Sequence, residues 1–322
     1  MKILVLLSFS LLLLACTKSV RISVMHPADV PIPADLDSVL IVDRTKIAKG
    51  DGKQVGNVLE GIFTGEPIGG DKYGKKGCLQ NLEYLIAANE RLSLVHREVI
   101  VLENTNGNFD NKIPLEAKFL DSICAKYGAD GVIALEHFDS DRARNSSGSA
   151  VGEAFVNSKW RLYYPNTKSI TDKFEMQTYG RGYSTSFFDA PTQYKAIYNA
   201  GAQASDVYMK RIVPSMYFET RTYYTSGSKE MRMATKHGEV GNWKEARFLY
   251  ESIIDGPASP KLLGKATYNL AVASEMEGDL EMALSWANKS ARTGNKSAPR
   301  YVRILQTIIN QQPLIEQQLK RE

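Results

Sequence analysis

A six-residue pattern that occurs twice near the end of the chain constrains the fold of that region most. Gly241-Asn-Trp-Lys-Glu-Ala246 returns as Gly278-Asp-Leu-Glu-Met-Ala283, so the glycine and the alanine both recur after 37 residues. A glycine allows the chain to reverse between two helices, and an alanine allows the second helix to pack closely on the first. We therefore predict two helical pairs within an all-α region over residues 226–312.

The surroundings of the second copy resemble the tetratricopeptide repeat family. Tyr268-Asn-Leu-Ala271 precedes Gly278 at the spacing that these repeats use. The period of the family is 34 residues, and the additional residues fit a longer turn around Pro257-Ala-Ser-Pro260. The resemblance implies a groove that binds a peptide or a partner protein.

A further helix over residues 300–319 is predicted to cap this array. Two repeats are few, because stacking normally needs about three for stability. Proline removes a backbone hydrogen bond within a helix, so we expect a break at Pro313 and a C-terminal tail over residues 313–322.

The first fifteen residues are predicted to be a secretory signal peptide. Lys2 is followed by a 13-residue apolar stretch from Ile3 to Ala15, broken only by two serines. A membrane-spanning helix needs about 18 apolar residues or more, so this stretch is too short to cross a bilayer. Its length and position fit a signal peptide over residues 1–15.

The four residues Leu13-Leu-Ala-Cys16 resemble the lipobox of bacterial lipoproteins, although Leu14 is less usual at its place. The resemblance implies a diacylated Cys16 thiol, and two acyl chains anchor a protein stably without crossing the membrane. No aspartate follows Cys16 and no acidic cluster lies nearby, which by resemblance favours the outer membrane and its periplasmic side. An ordinary signal peptide with a chance cysteine is the alternative. Residues 16–34 hold three prolines and no periodic pattern, so we expect a lipidated tether.

Residues 35–225 alternate between strand and helix patterns and predict a mixed α/β sheet domain. This fold class, an α+β or mixed α/β sheet domain followed by tetratricopeptide-like helices, is our prediction for the whole chain. Strands are expected at residues 38–43, 96–103, 131–135 and 216–224, with a half-buried hairpin at 156–164 and 173–177. Helices are expected at residues 55–63, 78–86, 114–127 and 189–212, and a glycine-rich basic loop at 65–77. This order resembles the small α/β domain of several outer-membrane-associated periplasmic lipoproteins, the curli-secretion lipoprotein among them, and such a topology does not carry function.

One small cluster has residue types that suit chemistry. His137, Asp139 and Asp141 follow a predicted strand, at the strand end where many α/β sites lie. They are candidates for a ligand contact. A metal site is not favoured, because no second histidine or cysteine lies nearby at metal-ligand spacing. Solvated acids in a loop are the commoner explanation. The glycine-rich loop has Lys76 where a phosphate-binding loop has serine or threonine. We therefore predict no catalytic residue, no metal and no cofactor.

Two cysteines remain besides Cys16. Cys78 and Cys124 both lie on helix faces expected to point to the core. The periplasm is oxidising, so a disulfide between them is one alternative. Two buried free thiols that behave as small apolar side chains are the favoured one.

Charge excludes one class of partner, and the order of the segments indicates a family. The net charge of +4 over 322 residues is too small to indicate nucleic-acid binding. In the order of its segments, the chain resembles the Bacteroidetes lipoprotein family of domain of unknown function 6340. These segments are the lipobox, the α/β segment with Trp160-Arg-Leu-Tyr-Tyr-Pro165, the passage at Ile212-Val-Pro214 and the repeats. The resemblance covers nearly all of the mature chain, and the family has no assigned activity.

These observations lead to two functional hypotheses. The first is a lipoprotein that is anchored in the outer membrane, faces the periplasm and serves as a scaffold without being an enzyme. Its repeats would bind an envelope protein or peptide, and it would contact the membrane only through the lipid. The alternative is a binding module for a glycan or peptide fragment, with Tyr163, Tyr179 and Tyr183 as exposed stacking faces.

Overall fold

The computed structural model describes residues 17–45, 70–102, 113–142, 151–167, 169–183 and 192–321. The strands in this part of the chain are β1 Thr17–His26, β2 Ser38–Asp43, β3 Ser93–Leu94, β4 Ile100–Val101, β5 Gly131–Arg142, β6 Val151–Tyr164, β7 Ser169–Tyr183 and β8 Ser215–Tyr224. The helices are α1 Gly70–Ala87, α2 Ala117–Tyr127, α3 Thr192–Ile212, α4 Lys229–Glu239, α5 Trp243–Asp255, α6 Pro260–Met276, α7 Leu280–Arg292 and α8 Ala298–Leu319. The predicted signal peptide, Cys16 and the predicted helix at 55–63 lie outside these residues.

The chain divides into two compact units. One contains Met216–Glu316 together with the chain up to His26, and we call it the repeat unit. The other contains Pro27–Ser215 and Gln317–Glu322, and we call it the sheet unit. The predicted fold class is confirmed, since a mixed sheet with helices is followed by a run of five helices. No described helix has the length and apolar character that crossing a bilayer requires.

A six-stranded mixed sheet forms the centre of the sheet unit. Its order is β3-β2-β5-β6-β7, and β4 also pairs with β2. β2 is parallel to β3, β4 and β5, whereas β6 is antiparallel to both of its neighbours, β5 and β7. Strand β2 is buried on both faces, as its continuous apolar run predicts. The hairpin of β6 and β7 is confirmed and is longer than predicted.

Helices cover the two faces of this sheet unequally. α1 and α3 pack on one face, where the ring of Trp160 stacks on Tyr208 with centroids 4.8 Å apart. α2 packs on the other face, where Leu120, Ile123 and Cys124 meet β2, β5 and the end of β6 at Tyr163. Alternate residues of β6 are buried towards α1 and α3, whereas Glu153, Phe155 and Asn157 on its opposite face are only partly buried.

The repeat unit contains the two predicted helical pairs and the capping helix. Gly241 and Gly278 have φ angles of 79° and 84°, the left-handed conformation that favours glycine at the α4–α5 and α6–α7 turns. Ala246 and Ala283 are completely buried at the helix contacts. The prediction from the repeated pattern is therefore confirmed in its turns and in its packing.

Two predictions for the ends of the chain were wrong. Residues 17–26 are not tether but strand β1, which pairs with β8. Its alternating Val20, Ile22 and Val24 are covered by the repeat helices, and this burial stabilises the strand. Pro313 does not break the last helix, which continues to Leu319 because buried Ile315 holds its final turns.

Three predictions inside the α/β region also need correction. The closing strand 216–224 forms, but it pairs with β1 outside the mixed sheet. Residues 70–77 of the predicted glycine-rich loop are the start of α1, and residues 65–69 lie outside the described residues. A Cβ atom at Gly77 would lie 2.3 Å from the Tyr198 carbonyl oxygen, so the glycines serve close packing of α1 on α3. The strand predicted at 96–103 is reduced to β4, and β3 precedes it.

Candidate functional site

The three residues predicted at a strand end lie inside β5 instead. His137, Asp139 and Asp141 share one face of this strand, and the hairpin residues opposite them are Lys159, Asn157 and Phe155. His137 is half-buried, and both aspartates are exposed. Among the residues that the structure describes, no three histidine, cysteine or acidic side chains are grouped as a metal site requires. Sequence reasoning found the right face but placed the strand end too early.

A β-bulge beside His137 builds a buried ionic cluster. Leu135 pairs with Trp160 and His137 with Lys159, so Glu136 is the additional residue on β5. Glu136 is only 3% exposed, and its carboxylate lies 2.8 and 2.9 Å from Nη1 of Arg44.

Two further side chains complete the cluster around Glu136. The hydroxyl of Tyr163 donates to Glu136 Oε1 at 2.7 Å, and Arg161 Nη1 lies 3.5 Å from the same oxygen. Burial, together with the negative charge of Glu136, raises the pKa of Tyr163, so this tyrosine stays neutral and keeps donating. Arg44 also donates to the Ile113 carbonyl at 3.0 Å. The cluster thus ties the end of β2 to the bulge and to β6.

A second group of polar side chains lies at the end of β2, on the side that faces α1. Lys75 of α1 contacts the hydroxyl of Thr45 at 2.7 Å and the carboxylate of Asp43 at 3.3 Å. Thr45 donates both its N–H and its hydroxyl to Asp43 Oδ1, at 2.8 and 2.6 Å. Carboxyl ends of parallel strands are common ligand sites in α/β proteins. These residues and the Glu136 cluster were missed, because nothing in the local sequence shows that Arg44, Glu136 and Arg161 converge.

The hairpin exposes aromatic side chains on the face opposite α1 and α3. Phe155 and Tyr179 are cross-strand neighbours with ring centroids 5.2 Å apart. Tyr179 and Tyr183 are 38% and 55% exposed. Arg181 donates from Nε to the Tyr179 hydroxyl at 2.8 Å. Tyr163, predicted to be a third exposed ring, is 1% exposed, because it points under α2 into the Glu136 cluster.

Helix α6 of the repeat array is covered in part by strand β8. Asn269 on α6 accepts the N–H of Tyr224 at 2.8 Å and donates to its carbonyl at 2.7 Å. Arg221 on β8 forms a forked ion pair with Glu275 of α6, the shortest N–O distance being 2.8 Å. A strand of this chain therefore covers part of the α6 surface.

The first helical pair instead exposes apolar side chains to solvent. Phe248 on α5 is 70% exposed and Met233 on α4 is 42% exposed. Both line a shallow cavity of about 380 Å³, together with His237, Lys244, Glu245 and Leu249. We call Met233, Phe248 and Leu249 the α4–α5 apolar face. The exposed residues of α8, at the other end of the array, are mostly polar.

Both internal cysteines are buried free thiols. Cys78 belongs to α1 and packs on one face of the sheet, and Cys124 belongs to α2 and packs on the other face. Burial raises the pKa of both thiols, that of Cys124 to about 11. The sheet therefore lies between Cys78 and Cys124, and the alternative of a disulfide between them is not realised.

Comparison with known proteins places the middle of the chain in a family. The model of a domain of unknown function, DUF8603, matches residues 36–224, which is more than half of the chain. The chain belongs to this DUF8603 family. The model of a second domain of unknown function, DUF6340, matches residues 232–309. The resemblance to family 6340 was therefore correct for residues 232–309, whereas residues 36–224 match the DUF8603 model instead.

Solved structures show only distant likeness to this DUF8603 protein. The PelC dodecamer from Paraburkholderia phytofirmans is 10% identical, covers 60% of this chain and 97% of its own, and has a TM-score of 0.26. The hypothetical protein CT253 from Chlamydia trachomatis is 8% identical, covers 55% and 96%, and has a TM-score of 0.29. A search of the curated proteins gives no match. Neither structural likeness is close enough to support an argument about function.

Proposed function

We propose that this protein is a lipoprotein of the outer membrane, anchored through acylated Cys16 and facing the periplasm, that acts as a non-enzymatic scaffold for an envelope protein. The α4–α5 apolar face carries the interaction part of this proposal. Terminal repeats of stacked arrays normally present a polar outer face, whereas Phe248 is 70% exposed here. The partner that fits is an amphipathic helix, which would stack on α4 and α5 as a further repeat would.

Photo-crosslinking in cells tests the interaction. A photoreactive side chain replaces Phe248 in the full-length chain, and a matched variant carries it at Leu314, which is 43% exposed on α8. We expect a discrete adduct with one envelope protein from position 248, none from position 314, and loss of the adduct on Met233→Asp. The same adduct from both positions, or none from 248, contradicts the proposal. Circular dichroism melts check that each variant is folded.

The anchor is tested separately. The lipobox resemblance supports acylation of Cys16, and two acyl chains give stable membrane attachment. Metabolic labelling with an alkyne fatty acid should mark the wild-type chain, and Cys16→Ala should lose both the label and the outer-membrane fraction. A labelled Cys16→Ala chain would place the modification elsewhere and refute this part of the proposal.

A second candidate function is favoured by the aromatic face of the hairpin. Phe155, Tyr179 and Tyr183 lie on one face of the sheet beside Arg181 and Glu153, whose Nε and Oε1 are 3.0 Å apart. Aromatic faces beside charged hydrogen-bonding groups suit stacking with a sugar ring. A thermal-shift titration with soluble peptidoglycan fragments tests this candidate, because a bound ligand raises the melting temperature by mass action. The shift should vanish in Tyr183→Ala and persist in Tyr84→Ala, whose ring is 69% exposed on α1.

A further inference from the structure

The point at which the proposed anchor joins the folded chain restricts how the repeat unit meets the membrane. Strand β1 begins at Thr17, the residue directly after Cys16. Two residues of extended chain span only about 7 Å, so Lys18 lies within that distance of the proposed acylation site. An acylated Cys16 at the level of the lipid headgroups would leave no free tether between the bilayer and β1.

Strand β1 contacts the repeat helices through its buried middle residues and through an ion pair near its start. Ile22 and Val24 are 8% and 6% exposed and pack against Ile308 of α8. At the other end of the strand, the ammonium group of Lys18 pairs with the carboxylate of Glu239. The strand that starts directly after the anchor is therefore part of the folded repeat unit, although its first three residues are exposed.

The contacts of Lys18 show which end of the repeat unit lies beside the anchor. Glu239 is the last residue of α4, and the next residue, Val240, is 72% exposed in the turn to α5. The ring of Tyr223 on β8 meets the edge of Trp243, the first residue of α5, at 5.6 Å. The α4–α5 turn is thus the neighbour of the strand start.

We infer that the α4–α5 turn, with Val240 at its tip, lies against the lipid headgroups of the membrane. The inference rests on the anchor of the proposed function and goes beyond it, because it fixes an orientation. An exposed valine that directly follows Glu239, the ion-pair partner of Lys18, suits the boundary between lipid headgroups and water. The orientation also directs the far ends of α4 and α5 towards the periplasm.

Headgroup quenching tests this orientation with two positions on one hairpin. Val240→Cys and Asp255→Cys receive the same environment-sensitive fluorophore. Asp255 is exposed at the far end of α5, and thirteen helical residues place it about 18 Å further along the helix axis. The full-length lipidated variants are reconstituted in vesicles of phosphatidylethanolamine and phosphatidylglycerol that carry a headgroup nitroxide lipid. Because Cys78 and Cys124 are buried, the unsubstituted chain serves as the labelling blank.

We expect several-fold stronger quenching of the probe at position 240 than of the probe at 255. A flexible glycine-serine insertion of about 12 residues between Cys16 and Thr17 should remove this difference, since it supplies the missing tether. Equal quenching at both positions, in protein whose acyl groups are confirmed by mass spectrometry, overturns the orientation and leaves the anchor intact. A chain without acyl mass on Cys16 overturns the anchor and the orientation together.

Discussion

Replacing Arg221 by alanine is the perturbation that best tests how β8 is bound to the repeat helices. Arg221 is 5% exposed on β8, and Glu275 is 4% exposed on α6. The guanidinium group donates from Nε to Oε2 at 2.9 Å and from Nη2 to Oε1 at 2.8 Å. The hydroxyl of Tyr301 also donates to this carboxylate. Arg221→Ala would leave Glu275 buried with a negative charge and a single neutral donor.

The size of the effect follows from this burial. Removing one partner of a buried ion pair costs about 3–5 kcal/mol of unfolding free energy, because the remaining charge is uncompensated. Glu275→Ala should cost less, since Nη1 of Arg221 still has Glu219 at 2.7 Å. The double variant Arg221→Met/Glu275→Leu should recover most of the loss, because apolar side chains of similar volume need no partner.

Urea unfolding followed by circular dichroism measures these differences. Because the chain has two units, each transition is fitted separately, and hydrogen exchange of the α6 amides identifies the transition that belongs to the repeat unit. A loss below about 1 kcal/mol, or a double variant less stable than Arg221→Ala, would refute the reasoning.

Three further predictions test contacts or burial inside one unit at a time. Asn269→Ala removes both hydrogen bonds to the partly buried backbone of Tyr224 and should lower the unfolding free energy by about 1–3 kcal/mol in the same urea assay, because the backbone N–H and carbonyl lose their partners. Gly201→Ala would place a Cβ atom 2.1 Å from the Gly74 carbonyl oxygen; separating α1 from α3 should cost more than about 2 kcal/mol, and an unchanged melting temperature would contradict this. Burial raises the pKa of Cys124 to about 11, so iodoacetamide at pH 8 should alkylate it slowly in native protein and rapidly in urea, as mass spectrometry would show.

The repeat helices could be predicted from sequence because their signals are local. Gly278 is needed where φ is positive, and Ala283 is needed where two helices touch, so each residue reports its own environment. The hairpin was predictable for the same reason, since alternation along β6 reflects directly which side chains are buried. The bounds of these elements were less accurate, because strand pairing extends beyond the residues with the clearest pattern.

The candidate site could not be predicted, because it depends on contacts between distant residues. Arg44 and Glu136 are 92 positions apart in the chain, and only the bulge in β5 brings the carboxylate towards the guanidinium group. Tyr163 follows the polar alternation of an exposed face, yet α2 covers it. Strand β1 was missed although its apolar residues alternate, because the prolines that follow it favoured an irregular segment.

The boundary between the two family matches does not coincide with the boundary between the two structural units. The DUF8603 model ends at residue 224 and therefore includes β8, whereas β8 packs on α6 within the repeat unit. A fragment cut between the two matches, beginning at residue 225, would lose Arg221 and leave Glu275 buried without a cation. Such a fragment should be less stable than one that keeps β1 and β8, and added β8 peptide should restore part of the lost stability. A fragment from residue 225 as stable as the longer one would show that β8 only covers the repeats and does not stabilise them.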